Sequence, residues 1–258
     1  MRIQSLSEKI PIDETIKAIE YIKDERNVEN LKAYVEEIMP FGKTTSIKYR
    51  NKFIQRFVEL DGNEVIYSPL IKFINEIESY QTKKEVIYYI VCITSDAVGE
   101  VVKAFSQGDI PSEIEEIELK EVFANAMPEA KESSISKTYS VVTTILKDFD
   151  IIQYKRNSET KKKTYCINEN IRPTYEGILF NLYYEFIKLK GNKMPEVETV
   201  LQCDTFKYFL MSDLMKKRYL KWMLDNEYIE NYVMGGNNKY QFSVDSLEGL
   251  IKKVTGLD

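Results

Sequence analysis

Along almost the whole chain apolar residues return every three or four positions, and only in two stretches does that spacing fall to two. Three-to-four spacing is one face of an α-helix and two-residue spacing one face of a strand, so the chain is expected to be mainly α with two small hairpins. All-β folds, which need many strands, are disfavoured. Ten glycines and seven prolines in 258 residues fall below the roughly 7% and 5% of ordinary chains, which also disfavours a turn-rich β fold.

Residues 11–107 read as consecutive helices. Ile16, Ile19 and Ile22, then Leu31, Tyr34, Val35 and Ile38, mark two amphipathic helices closed by Met39-Pro40-Phe41-Gly42. A third is expected to start at Thr45 or Ser46 and to turn Ile47, Phe53, Ile54, Phe57 and Val58 inward. After a turn at Asp61-Gly62-Asn63 come helices over 69–80 and 83–105, and Ser106-Gln107-Gly108-Asp109-Ile110-Pro111 reads as a linker.

Beyond the linker the spacing predicts a helix over 113–127 and another opened by Ser133-Ser134-Ile135-Ser136 and running to about Phe149. The period then drops to two: IIQYKR (151–156) and KKTYCIN (162–168) flank the turn NSET. Helix, helix, hairpin is the layout of a winged helix. The layout then repeats, with helices over 179–189 and 205–211, a longer one capped by Ser212, and YIENYV (228–233) and KYQFS (239–243) about a glycine-rich turn. Laying Leu146 to Ile151 on Leu224 to Ile229 matches leucine with leucine and isoleucine with isoleucine. Three segments are therefore expected: a helical domain over 1–110, a winged-helix unit over 111–172 and a winged-helix-like unit over 173–258.

The chain contains no histidine. Ser-His-Asp and Cys-His nucleophile systems, histidine metal sites and imidazole proton transfer are thereby excluded. Cys92, Cys166 and Cys203 are scattered and odd in number, so neither a disulfide framework nor a zinc site is expected. The longest apolar run, 86–94, is far short of the ~20 residues that span a bilayer. A cytoplasmic, non-enzymatic protein without membrane, metal or cofactor is the expectation. Two enzyme-like fragments fail on context. Gly42-Lys43-Thr44 lacks the glycine and strand of a phosphate-binding loop, and Asp109, Glu118 and Lys120 have nuclease-like spacing where the pattern is helical.

The formal charge of −5 hides a segregated distribution, +5 over 43–56 and +4 over 134–172 against −6 over 100–132. Basic surface on a winged helix points to nucleic-acid phosphates. The expected contacts are Ser134, Ser136, Lys137, Ser140 and Thr144 on the groove-facing helix, with Lys155, Arg156, Lys161, Lys162 and Lys163 on the wing. Lys43, Lys48, Arg50 and Lys52, and then Lys216, Lys217 and Arg218, form two further basic groups. The competing reading makes the winged helices protein-docking modules, with the acidic helix over 113–121 as a docking face.

Four segments carry a resemblance: NVENLKAYVEEIMPFGKTTSIKYRNKFIQRFVEL, KKEVIYYIVCITSDAVGEVV, SSISKTYSVVTTILKDFDII and TFKYFLMSDLMKKRYLKWMLDNEYIEN. In their order and character the chain resembles the BrxA family of the bacterial BREX phage-defence islands, from about Glu14 to Asn231. The resemblance implies a small, helical, non-enzymatic defence component, similar in part to the NusB type of RNA-binding antitermination protein. It implies winged-helix elements, affinity for duplex DNA, with RNA as the alternative, and other phage-defence proteins as partners. The chain departs in being acidic overall and in carrying only seven arginines, which argues against bidentate guanine readout, since lysine acts mainly as a point charge.

Overall fold

A computed structural model describes residues 1, 3, 9–156 and 162–256. The chain is mainly helical, with short antiparallel strands. Among the described residues no helix is long and apolar enough to cross a membrane.

Contacts group the chain into two compact units that are not consecutive segments. One comprises Met1–Ile10, Ile90–Arg172 and Lys207–Leu210, the other Pro11–Tyr89, Pro173–Phe206 and Met211–Asp258. The boundaries expected at 110 and 172 therefore coincide with the units only near 172. Residues 106–111 are no linker. Gly108 (φ 80°) closes a helix in the left-handed conformation, and Ile110 two positions later is buried, so this stretch is a turn inside the first unit.

The second unit opens with α1 (Ile12–Tyr21), α2 (Val28–Ile38) and α3 (Lys43–Phe57). Ile16, Ile19, Ile22, Leu31, Val35, Phe53 and Phe57 are all buried, as their spacing predicts. Helix α3 begins two residues before the expected start, on Gly42 as N-cap. Asp61-Gly62-Asn63 turns a hairpin of β1 (Glu59–Asp61) and β2 (Glu64–Ile66). Helix α4 (Pro69–Glu76) follows, packing on α1, and α5 (Tyr80–Thr94) carries the longest apolar run. The single helix expected over 83–105 breaks at Ser95, which is extended, and α6 (Asp96–Gln107) begins beside it. Gly99 makes the corner possible, because a Cβ there would lie 2.5 Å from the carbonyl oxygen of Cys92.

The first unit continues through β3 (Glu113–Glu115), α7 (Glu116–Ala126), α8 (Glu132–Asp148), β4 (Ile152–Arg156) and β5 (Lys163–Ile167). Residues 113–115, expected to be helical, instead pair with β5, giving the strand order β3-β5-β4. With α6 and α7 both packed on α8, this is the helix and strand order of a winged helix. Its core is aromatic. Phe123 meets Tyr139 edge-on, and the Tyr139 hydroxyl donates to that of Tyr165 at 2.7 Å.

The layout recurs in the second unit. Helix α9 (Tyr175–Tyr183) runs into a π-helical turn, Tyr184–Leu189, that turns Glu185 and Phe186 inward. Short helices α10 (Val197–Leu201) and α11 (Asp204–Tyr208) follow, then α12 (Asp213–Asp225), capped by Ser212 as expected. Strands β6 (Ile229–Met234) and β7 (Asn237–Phe242) form the hairpin, and Glu196 bridges to Lys239 where β3 meets β5 in the other copy. Asp150 N–H bonds to Lys147 and Ile151 N–H to Leu146, just as Glu227 bonds to Leu224 and Tyr228 to Met223. Asp150 and Glu227 also share a left-handed φ, 60° and 59°. The repeat is therefore real, but its register is one residue off the leucine-on-leucine match: Leu146 corresponds to Met223. Helix α13 (Leu247–Thr255) then packs on α4 and α9.

Candidate nucleic-acid interface

In the first unit α8 and the β4–β5 hairpin carry the helix and hairpin residues named as expected contacts from sequence. The inward face of α8 is Tyr139, Val142, Ile145 and Leu146, all buried. This leaves Ser136, Lys137 and Ser140 exposed, with Ser134 and Thr144 half-buried. The helix starts earlier than expected, at Glu132, so its first turn carries a carboxylate. The Ser134 N–H is taken by the Lys131 carbonyl at 2.8 Å. Thr144 Oγ1 bonds back to the Ser140 carbonyl. The N-terminal half of the helix is thus hydroxyl-rich and weakly charged.

The wing is where charge collects. Lys155, Arg156 and Lys162 are exposed and Lys163 is half-buried, while Lys161 lies outside the described residues. Pairing sets Lys155 opposite Thr164 and Arg156 opposite Lys163. Lys162 is anchored 3.0 Å from Glu115, which ties the hairpin to the start of α7. Lys163 sits 4.6 Å from the Tyr154 ring centre and 4.9 Å from that of Tyr165. Burial works against its charge, but the Tyr165 hydroxyl and the negative charge of Glu116 outweigh burial and hold the ammonium above its ordinary pKa. Glu116 in turn is held down by its bond to Lys120 at 2.8 Å.

Two wing-side residues were missed from sequence. Lys147, on α8, reaches 5.4 Å from the ring centre of Tyr154, which is 51% exposed on β4. The alternation in QYKR places Tyr154 beside Arg156 on one face, but nothing local shows that this face is the one turned toward α8.

The other two basic groups lie in the second unit, and in each of them one cation is held by an acid, Arg50 by Glu36 and Lys216 by Asp213. On α3, Arg50 pairs with Glu36 of α2 and bonds Asn51, Lys52 bonds Gln55, and Arg56 is buried, leaving Lys43 and Lys48 exposed. The stretch has no acid of its own, but the neighbouring helix supplies one. On α12, Lys216 is 3.0 Å from Asp213, while Lys217 and Arg218 are exposed. Beside them Leu214 is 80% exposed, and the second hairpin ends in exposed Tyr232 and Val233. This hairpin exposes two large apolar side chains among polar ones, where the first is cationic. Glu118, of the nuclease-like trio, accepts from the Glu115 N–H in a capping box.

No protein-family model, curated protein or solved structure matches the chain.

Proposed function

We propose that this chain is a non-enzymatic nucleic-acid-binding protein, that double-stranded DNA is its ligand, and that binding is dominated by phosphates with little sequence preference. The supporting observation is the cationic end of the first winged helix, where Lys147, Lys155 and Arg156 have no carboxylate within ion-pairing distance among the described residues. In a chain with more acids than bases, such a corner attracts polyanions. The serine-rich, lysine-poor face of α8 offers few bidentate base contacts. Resemblance to the BrxA family supports a place in a cytoplasmic BREX anti-phage apparatus.

Fluorescence anisotropy with a duplex of about 30 base pairs, its single strand and an RNA of equal length, at about 50 and 200 mM salt, tests this. Four wing-side cations predict a log-log salt slope of about −3 to −4 for the duplex. The absence of salt-dependent binding to all three ligands rejects the reading.

A second reading, a protein adaptor within the defence complex, draws on the second unit. Leu214 at 80% and Val233 at 74% exposure favour an apolar partner over a phosphate backbone.

A further inference from the structure

We propose that the corner between the C-terminal end of α8 and the wing is a seat for a backbone phosphodiester. Its residues are Lys147, Tyr154, Arg156 and Lys163, and through them the winged helix grips nucleic acid by the wing rather than by the N-terminal half of α8. The inference rests on the nucleic-acid reading above and specifies its mode.

Strand pairing builds the corner. Tyr154 faces Tyr165 and Arg156 faces Lys163 across the β4–β5 ladder, and strand alternation puts all four on one side of the hairpin. That side is turned to α8, because Tyr165 bonds to Tyr139 of α8 and Lys147 of α8 lies over Tyr154. A cation directly opposite a cation on paired strands is destabilising by itself. Elsewhere the chain relieves its lysines: Lys32, Lys83, Lys188 and Lys193 all sit within 3.1 Å of a carboxylate. On the other face of this hairpin Lys162 has Glu115. Here the like-charged pair has no carboxylate within ion-pairing distance among the described residues, only the longer-range charge of Glu116 on Lys163, and a third cation, Lys147, lies beside it. An anion placed among the three would relieve the repulsion and meet charge-assisted donors already gathered.

Tyr154 forms the floor. Its half-exposed ring holds two ammoniums within 5.4 Å of its centre, which limits the side-chain freedom lost on binding, and its hydroxyl adds a neutral donor. A phosphodiester bears one negative charge spread over two oxygens, and a nucleic-acid backbone presents it repeatedly along a strand. At the opposite end of α8, Glu132 opposes a phosphate, and the exposed cations are Lys131 at the N-cap and Lys137.

The test compares full-length variants by anisotropy on the duplex across the same salt range. Combining Lys147→Gln, Arg156→Gln and Lys163→Gln should weaken binding about tenfold or more and reduce the salt slope by about two to three units. The combination Ser136→Ala, Lys137→Gln and Ser140→Ala should cost less than about threefold and at most about one unit of slope. Arg156→Gln alone removes a repulsion, so it should melt no lower than wild type while still losing about one unit of slope. This variant separates loss of binding from loss of folding. Inorganic phosphate at matched ionic strength should not displace the duplex; displacement would assign the seat to free phosphate. Equal or greater loss in the α8-face variant, with duplex binding intact in the corner variant, overturns the seat and leaves the nucleic-acid reading standing. A wild-type chain that binds no nucleic acid overturns both.

Discussion

Glu85 and Glu185 are carboxylates buried in the second unit, and each holds the start of a helix. Glu85 Oε2 accepts from the backbone N–H and the hydroxyl of Thr174, the N-cap of α9, while Oε1 accepts from Gln81 at 2.9 Å. Glu185 takes the N–H groups of Asp204 and Thr205 at the start of α11, the Thr205 hydroxyl, and Lys190 at 2.6 Å. Negative charge at a helix N-terminus is favourable, but burial pushes the Glu85 pKa up, against the opposing bonds to Thr174 and Gln81. The folded chain therefore binds this proton more tightly than the unfolded chain does. The contribution to stability is complete below the ordinary carboxylate pKa and declines as pH rises from there through the raised value. Urea midpoints measured from pH 4 to 7 should fall in that window relative to Glu85→Gln; parallel curves for the two proteins would reject the assignment. Gly177 is set by the same contact, since a Cβ there would lie 2.4 Å from Glu85 Oε2. Gly177→Ala should cost about 1–3 kcal/mol in urea unfolding by prising the carboxylate from its donors. None of this was legible in the sequence. KKEVIYY gives Glu85 the look of a solvated residue, and its partner Thr174 stands 89 positions away.

At the scale of elements, the sequence was readable wherever a residue's neighbours in space are also its neighbours in the chain. The faces of α1, α2 and α8 and the two wing hairpins follow from local period. The three-residue strand β3 does not, because Ile114 and Ile117 fit a helical spacing and only pairing with β5, some fifty residues on, makes 113–115 extended. The break at Ser95 was hidden for a similar reason, since an apolar run gives no sign of reversing until Gly99 is seen against Cys92. The repeat illustrates both sides. Its existence was visible, but its register is fixed by backbone bonds that ignore the side-chain match. The second hairpin is closed by Gly235 and Gly236, both at positive φ, 61° and 84°, the mirror-image two-residue turn that suits twisted strands. Gly236→Ala should therefore cost about 1 kcal/mol or more, read as a lowered urea midpoint with an unchanged m-value. Wing identity was less accessible. The cationic tip of the first hairpin was plain in the sequence, but its division into a face where Glu115 holds Lys162 and a face turned to α8 needed the pairing register.

At the scale of the whole molecule, the unexpected feature is that the second unit is assembled from both ends of the chain. Phe73 of α4 stacks on Phe180 of α9 with ring centres 4.1 Å apart, and α13 packs on both helices. A fragment of residues 1–110 lacks α9 and α13 and should show no cooperative urea transition by circular dichroism; a sigmoidal transition like that of the full chain would contradict this. Residues 90–172, by contrast, hold the α6-to-β5 winged helix in one continuous stretch. Contacts close in sequence form early, and those that must close long loops form late. On the ribosome the winged helix can thus condense as soon as β5 emerges. Phe73 of α4, buried in the finished protein, must wait for Phe180 of α9, and the packing of α4 is complete only once α13 has been made. The N-terminal helices are synthesised well before the segments that cover them, so during that interval they are exposed to chaperones and to aggregation.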